Sequence, residues 1–454
     1  MKSIQQFLVE KEVHPERCRY IALDGTNTMS GEVSGLQRRM RHLSPMCLYM
    51  NCRNHRLALC LKHLMKDYES LVDVDSALIS IWKLFHYSPS RFSVFKEVQE
   101  TYGDQPLTLI RAACTRWLSH GKACERFINV YVPVLDTLDA IYQKKKEPEV
   151  FGLRITLTKK KIIAMVLLLC DVLKIVNVLS LFLQTADICL SDVSSKVKAT
   201  INELTALIQR LHQRDPDLYF SRIDDIFSEI DDRTDLQRRL RDDNNLNPAD
   251  FMLNTGEPFI YSLVGELTDA FHCHPVFRAF MVMDPRCLPE TAQELTDHGK
   301  DDLEVLIDHY GKAKADEFKG HISRCDADLS LPDVVRGEYA GFKHQMFMLR
   351  QTGRVKTPTD ILKVFKTDDV LSQCFPRIKL LSELISIIPA STAAVERSFS
   401  TMNDVCTPLR AKLGQETLEN LLRICLEGHK ELSETELENL VETFKQRKDR
   451  KIKL

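Results

Sequence analysis

The chain has 454 residues, of which 44% are hydrophobic and 28% charged. That balance excludes a disordered or low-complexity polypeptide and suits two or three domains with sizeable cores. A formal net charge of −2 excludes a globally basic nucleic-acid binder but leaves room for a local basic patch.

The 14 cysteines are scattered, and Met1 to Cys18 carry Lys2, Glu10, Lys11, Glu12 and Glu16 with no apolar run. Reduced thiols of the cytosol or nucleus are expected, not a disulfide framework. Tyr20–Leu23 runs into Asp24, and residues 46–50 run into Asn51 and Cys52. Both segments are short, apolar and β-compatible, so each reads as a strand. Met29-Ser30-Gly31 leads into a basic helix with Arg38, Arg39 and Arg41, and Leu57, Leu61 and Leu64 recur at helical spacing after Cys52. Strands alternating with helices make an α/β beginning.

From about residue 73 to 365 the pattern becomes almost wholly helical. Helices are predicted over 71–85, 123–142, 162–189, 197–213 and 218–240, with breaks at 144–153, 241–258 and 284–289 and a polar linker at 351–358. The most apolar run, 162–183, is interrupted by Asp171, Lys174 and Asn177, which fits a buried core helix better than a membrane span. Near the end, Pro389 blocks a helix, and Ser391 or Thr392 can cap the next, which runs through Val395, Phe399 and Met402. Pro408 interrupts it. A second helix carries an apolar stripe of Leu418, Leu421, Leu422, Cys425 and Leu426, and a third carries Leu437, Leu440, Val441 and Phe444. The basic tail from Lys445 to Lys453 reads equally as a nuclear localisation signal or a solvated terminus.

Four constellations carry candidate chemistry. Asp24, at a strand end before Gly25, is placed as metal-binding carboxylates are in α/β folds, although an Asp before Gly is more often turn chemistry. Cys52-x-x-His55, with Cys60 and His63 nearby, has the spacing of half a zinc site; His272, Cys273 and His274 lie far off, and a packed thiol beside a hydrogen-bonded imidazole is the plainer reading. Arg116-Trp117 suits stacking on an extruded base, and core packing of the indole suits it as well. Glu396 falls one turn into a helix, where a Glu-Arg pair is usually solvated.

In this order and at these distances, the four pieces resemble the hAT transposase superfamily, and within it the domesticated zinc finger protein 862-like group. The resemblance implies a ribonuclease H-like core interrupted by a long helical insertion. It makes Asp24 the second catalytic aspartate and Glu396 the catalytic glutamate. It makes Cys52 and His55 a signature of the core rather than a zinc site, Arg116-Trp117 a support for hairpin formation during excision, and the Leu418 to Leu426 stripe a dimerisation region.

The family's first catalytic aspartate lies on an earlier strand, and the roughly two dozen residues before Asp24 offer no candidate for it. Two-metal strand transfer needs carboxylates bridging cations roughly 3.5–4 Å apart. The expectation is therefore a predominantly helical α/β fold with an incomplete ribonuclease H-like core, interrupted by a long all-α insertion. Its segments are 1–72 (core), 73–365 (insertion), 366–432 (core and dimerisation) and 433–454 (helix and tail). The expected function is that of an inactive, domesticated or truncated transposase-like homodimer, nuclear, without cofactor or membrane, in which Asp24 and Glu396 are vestigial. The alternative is residual DNA binding and strand transfer with Mg²⁺ or Mn²⁺, in which Arg38, Arg39 and Arg41 sit on phosphates.

Overall fold

The computed structural model describes all residues except 1, 104, 113–116, 186–187, 234–244, 316–321, 324–326, 390, 411, 429–430 and 447–454. It divides into two compact units, Met1–Thr392 and Ala393–Leu454. The first unit opens with α1 (Lys2–Glu10), β1 (Tyr20–Leu23), α2 (Asn27–Ser30), α3 (Leu36–Leu43), β2 (Leu48–Asn51) and α4 (Arg53–Asp67). The two strands pair in parallel, with Tyr20 opposite Leu48 and Leu23 opposite Asn51, as a strand–helix–strand crossover allows. The second strand starts two residues later than its apolar run suggests. Met46 and Cys47 are buried ahead of it, and the ladder begins where the Leu48 amide donates to the Arg19 carbonyl at 2.9 Å.

Next come α5 (Glu69–His86), α6 (Pro89–Thr101), α7 (Trp117–Asn129), α8 (Tyr131–Lys145), α9 (Pro148–Leu157), α10 (Lys160–Leu183), α11 (Leu190–His212), α12 (Ile223–Asp232), α13 (Pro248–Phe251) and α14 (Glu257–Ala270). With α4 they form one hydrophobic core, running from Leu57 to Ala270. A helix apolar on all sides must be surrounded, and α10 packs on α5, α7 and α11. Gly121 lets α7 come so close that an added Cβ would meet Leu173 Cβ at 3.2 Å. Among the described residues α10 is the one helix long and apolar enough to cross a membrane, and most of its apolar surface is taken up by this packing, with Val178 and Leu181 left exposed.

Several predicted boundaries move. The helix expected over 123–142 is two, α7 and α8, separated at Val130. Pro133 lacks the N–H that would continue the helix, and its ring crowds the Asn129 carbonyl. The run expected over 162–189 stops at Leu183, and α11 starts well before residue 197, because Asp192 Oδ2 accepts the Cys189 amide at 3.3 Å and caps it. Of 218–240, the structure shows a tight turn, Tyr219–Arg222, and α12; residues 234–240 lie outside the described residues.

A second core runs from Val276 to Ile388 and takes in Met50 of β2. Its helices are α15 (Pro275–Ala279), α16 (Lys300–Tyr310), α17 (Pro332–Gln351), α18 (Pro358–Thr367) and α20 (Pro376–Ser386), with α19 (Asp369–Cys374) between the last two. A two-residue antiparallel ladder, β3 (Lys314–Ala315) with β4 (Ile322–Ser323), has no signal in the sequence pattern. Residues 351–358 are not a linker: Val355 is buried, and Thr357 caps α18 as Asp360 Oδ2 accepts the Thr357 amide at 3.1 Å. The second unit holds α21 (Ala393–Val405), α22 (Gln415–Glu427) and α23 (Glu434–Gln446), and α21 packs on α22.

Asp171 is the acidic residue inside α10. It is buried, and its carboxylate accepts the Tyr219 and Phe220 amides at 2.9 and 3.0 Å, tying the turn before α12 to the core helix. Burial outweighs these hydrogen bonds and pushes its carboxyl from 3.8 up to about 6. The folded chain therefore holds an extra proton between these values, and stability falls as pH rises through that window. Asp171→Ala should remove this slope and cost about 1–3 kcal/mol by leaving two buried amides unpaired. Denaturant unfolding of both proteins at acidic and neutral pH checks it; equal slopes would refute the assignment.

Candidate functional site

The parallel strands end together at Leu23 and Asn51, and the chain chemistry singled out above gathers at that end. Asp24 is half-buried. Its Oδ1 accepts the Thr26 amide at 3.1 Å and the Thr26 hydroxyl at 2.6 Å, a local turn bond typical of aspartate. Cys52 is buried at the start of α4, where its amide donates to the Leu23 carbonyl at 2.8 Å. His55 is one turn on, with its ring against Gly25: a Cβ there would meet His55 Cδ2 at 3.1 Å. Cys60 and His63 point elsewhere. The Cys60 thiol donates to the Arg56 carbonyl at 3.2 Å, and His63 Nδ1 lies 3.0 Å from Glu266 Oε2. Among the described residues no three His, Cys, Asp or Glu side chains gather as metal ligands would.

Two clefts flank α3. One, of about 670 Å³, is lined by Glu32, Arg38, Arg41, Tyr49, His55 and Arg56 among others. The other, of about 320 Å³, is lined by Arg38, Arg41, His42, His274, His309 and Lys314 among others. Of the three expected phosphate contacts, Arg38 and Arg41 thus face both clefts. Arg39 lines neither, and its Nε donates to the Ser34 carbonyl at 3.0 Å. In the second cleft Lys314 Nζ donates to His309 Nδ1 at 2.6 Å, and His309 Nε2 lies 3.3 Å from the Met46 carbonyl. Burial, then the Lys314 charge, pulls the His309 imidazole down to about 4, so it stays neutral at ordinary pH. Cys47 also lines this cleft, and its Sγ lies 3.6 Å from Cys18 Sγ; the hydrogen bond from Cys47 draws the Cys18 thiol down to about 7.

The pattern suits an anion: Arg38 and Arg41 line both clefts, with Arg56 in one and Lys314 in the other, and among the described residues Glu32 is the one carboxylate lining either. Sequence reasoning missed Arg56, which sits one turn beyond Cys52 on the same helix and was within reach of a helical-spacing argument. It named His274 only as a distant zinc candidate and missed His309 and Lys314, which have no sequence signal pointing to α3.

Arg116 lies outside the described residues, and Trp117 begins α7. Glu396 is exposed in the first turn of α21 and belongs to the second unit, whereas Asp24 belongs to the first. In that second unit Ala393 is the only buried side chain among the described residues. Leu418, Leu421 and Leu422 of the apolar stripe are half-buried, while Cys425 and Leu426 are exposed. Ile424, absent from the stripe as read from the sequence, is 68% exposed, and Val395, Phe399, Leu437, Leu440 and Phe444 are exposed as well.

Residues 342–427 match the family model of the hAT family C-terminal dimerisation region. The match runs from the middle of α17 to the end of α22, and it supports the hAT resemblance carried by the motifs. No curated protein matches the chain.

Proposed function

We propose that this chain derives from a hAT transposase and acts by self-association through its C-terminal region, as a homodimer. The observation that carries the reading is the second unit itself, which buries almost none of its apolar side chains fully and leaves about half of them exposed, inside and just beyond the stretch that matches a dimerisation region. Contiguous exposed apolar surface on a folded chain marks an interaction site, and obligate dimers are held by contacts of this apolar kind. Because Leu418, Leu421 and Leu422 are partly used within the unit, Ile424, Cys425 and Leu426 are the better candidates for the contact between copies. Ile424→Asp combined with Leu426→Asp should convert a dimer to a monomer in light scattering after size exclusion, with the cooperative melting of the first unit retained. A variant that stays dimeric would refute this surface.

The β1–β2 pair with Asp24 at its end supports an incomplete ribonuclease H-like core, the motif set supports kinship with the zinc finger protein 862-like group, and the basic tail supports a nuclear location. We place the chain among inactive derivatives, with the engagement of Asp24 Oδ1 by Thr26 as the supporting observation.

The two clefts that share Arg38 and Arg41 favour a second reading, contact with DNA phosphates. Binding of a DNA duplex should weaken steeply with salt, and Arg38→Ala with Arg41→Ala should reduce the salt slope by about 2. An unchanged slope in a fluorescence-anisotropy titration would remove these residues from the contact. Incubation of the same duplex with Mn²⁺ should leave it intact. Nicking that disappears in Glu396→Gln would instead restore the enzyme.

A further inference from the structure

Arg53, the first residue of α4, is 7% exposed. Its Nε has no hydrogen-bond partner, and among the described residues no carboxylate pairs with its guanidinium. A nearly buried charge whose Nε meets no acceptor, and whose remaining polar atoms meet only what enters the cavity they line, is costly for a fold to carry. The nearest compensation is weak: the guanidinium carbon lies 5.9 Å from the Phe271 ring centroid, at the outer limit of a cation–π contact. The Cys273 thiol is close enough to be felt electrostatically, but burial pushes it up, so it stays protonated and supplies no negative charge. Arg56 adds a second positive charge from the same helix.

Arg53 lines a cavity of about 320 Å³ where the two cores of the first unit meet. Val197 and Ile201 of α11 and Phe271 come from the first core or its margin, and Phe277 comes from the second. Exposed Lys198 and Arg278 also line it, and no carboxylate does. A mostly apolar cavity with one buried guanidinium and cations at its exposed rim is suited to an anion that carries an apolar body. The volume sits at the small end of the roughly 300–1,000 Å³ range of small-molecule sites.

We propose that this cavity binds a small amphipathic carboxylate, with the carboxylate on Arg53 and the aliphatic body along the Val197, Ile201, Phe271 and Phe277 wall. The site is independent of self-association and of the clefts beside α3.

The probe is decanoate, kept below its micellar concentration, with decan-1-ol as the neutral control, read by thermal shift and calorimetric titration of the full chain. Decanoate should raise the melting temperature saturably and decan-1-ol should not. Arg53→Met should weaken decanoate binding by on the order of tenfold to a hundredfold, the loss expected for a charge-assisted hydrogen bond. Without ligand, Arg53→Met should melt no lower than the parent chain, because it removes an unpaired buried charge; a clear drop would mean that Arg53 serves packing on Phe271 and would overturn the proposal. Ser194→Phe, which fills the cavity from a half-exposed position and leaves Arg53 in the sequence, should also abolish binding. Failure of decanoate to bind the parent chain, equal binding of the alcohol, or full binding by both variants would each refute the site.

Discussion

A helix that is apolar on every side cannot lie on a surface, and α10 imposes that condition on the first unit. The surrounding helices exist in the lengths and places that cover it, and the single glycine at 121 marks where one of them had to come closest. Its acidic interruption is turned to use, since Asp171 supplies the acceptors that two backbone amides before α12 would otherwise lack. The same run that gives α10 the composition of a membrane span is thus explained by what wraps it.

The β1–β2 pair ties this bundle to the second core. Met50 sends its side chain into the second core while the helix that β2 feeds, α4, belongs to the first. The Tyr20 hydroxyl meets that of Tyr310 at 2.6 Å, so β1 is fastened to α16 as well. The smaller cleft beside α3 and the Arg53 cavity lie along this junction. The larger cleft is built from the strand ends, α3 and α4, the smaller one adds His309 of α16, and the Arg53 cavity opens where the cores abut. Seams between packed bodies leave cavities because neither body is shaped to fill the other's gaps.

What could be read from the sequence follows the range of the forces involved. Tyr20–Leu23, the basic helix at Leu36–Leu43 and the three C-terminal helices are written in local periodicity and capping residues, and these lie where expected. The break at Val130 is also local, announced by Pro133, but the apolar rhythm that continues across it hides it. Val355 illustrates the opposite case: a polar stretch looked like a linker because one buried valine among polar neighbours makes no pattern. Arg53 could not have been distinguished from Arg56 or Lys62 in the sequence. Lacking a partner is a property of everything folded around a residue, and none of that is encoded nearby. The convergence of His309 and Lys314 on α3 was illegible for the same reason, with more than 250 residues intervening.

Each of α21, α22 and α23 is 13 residues long, about the length at which an isolated helix in water is only marginally formed. With almost nothing buried among them, they have little of their own to resist fraying. Their amide hydrogens should then be protected only as far as something else covers them, and the order of this unit becomes a function of how much of the chain is present in the cell rather than of its sequence alone. A segment of that kind responds to abundance: dilute, it is open to proteases, and concentrated, it is sheltered.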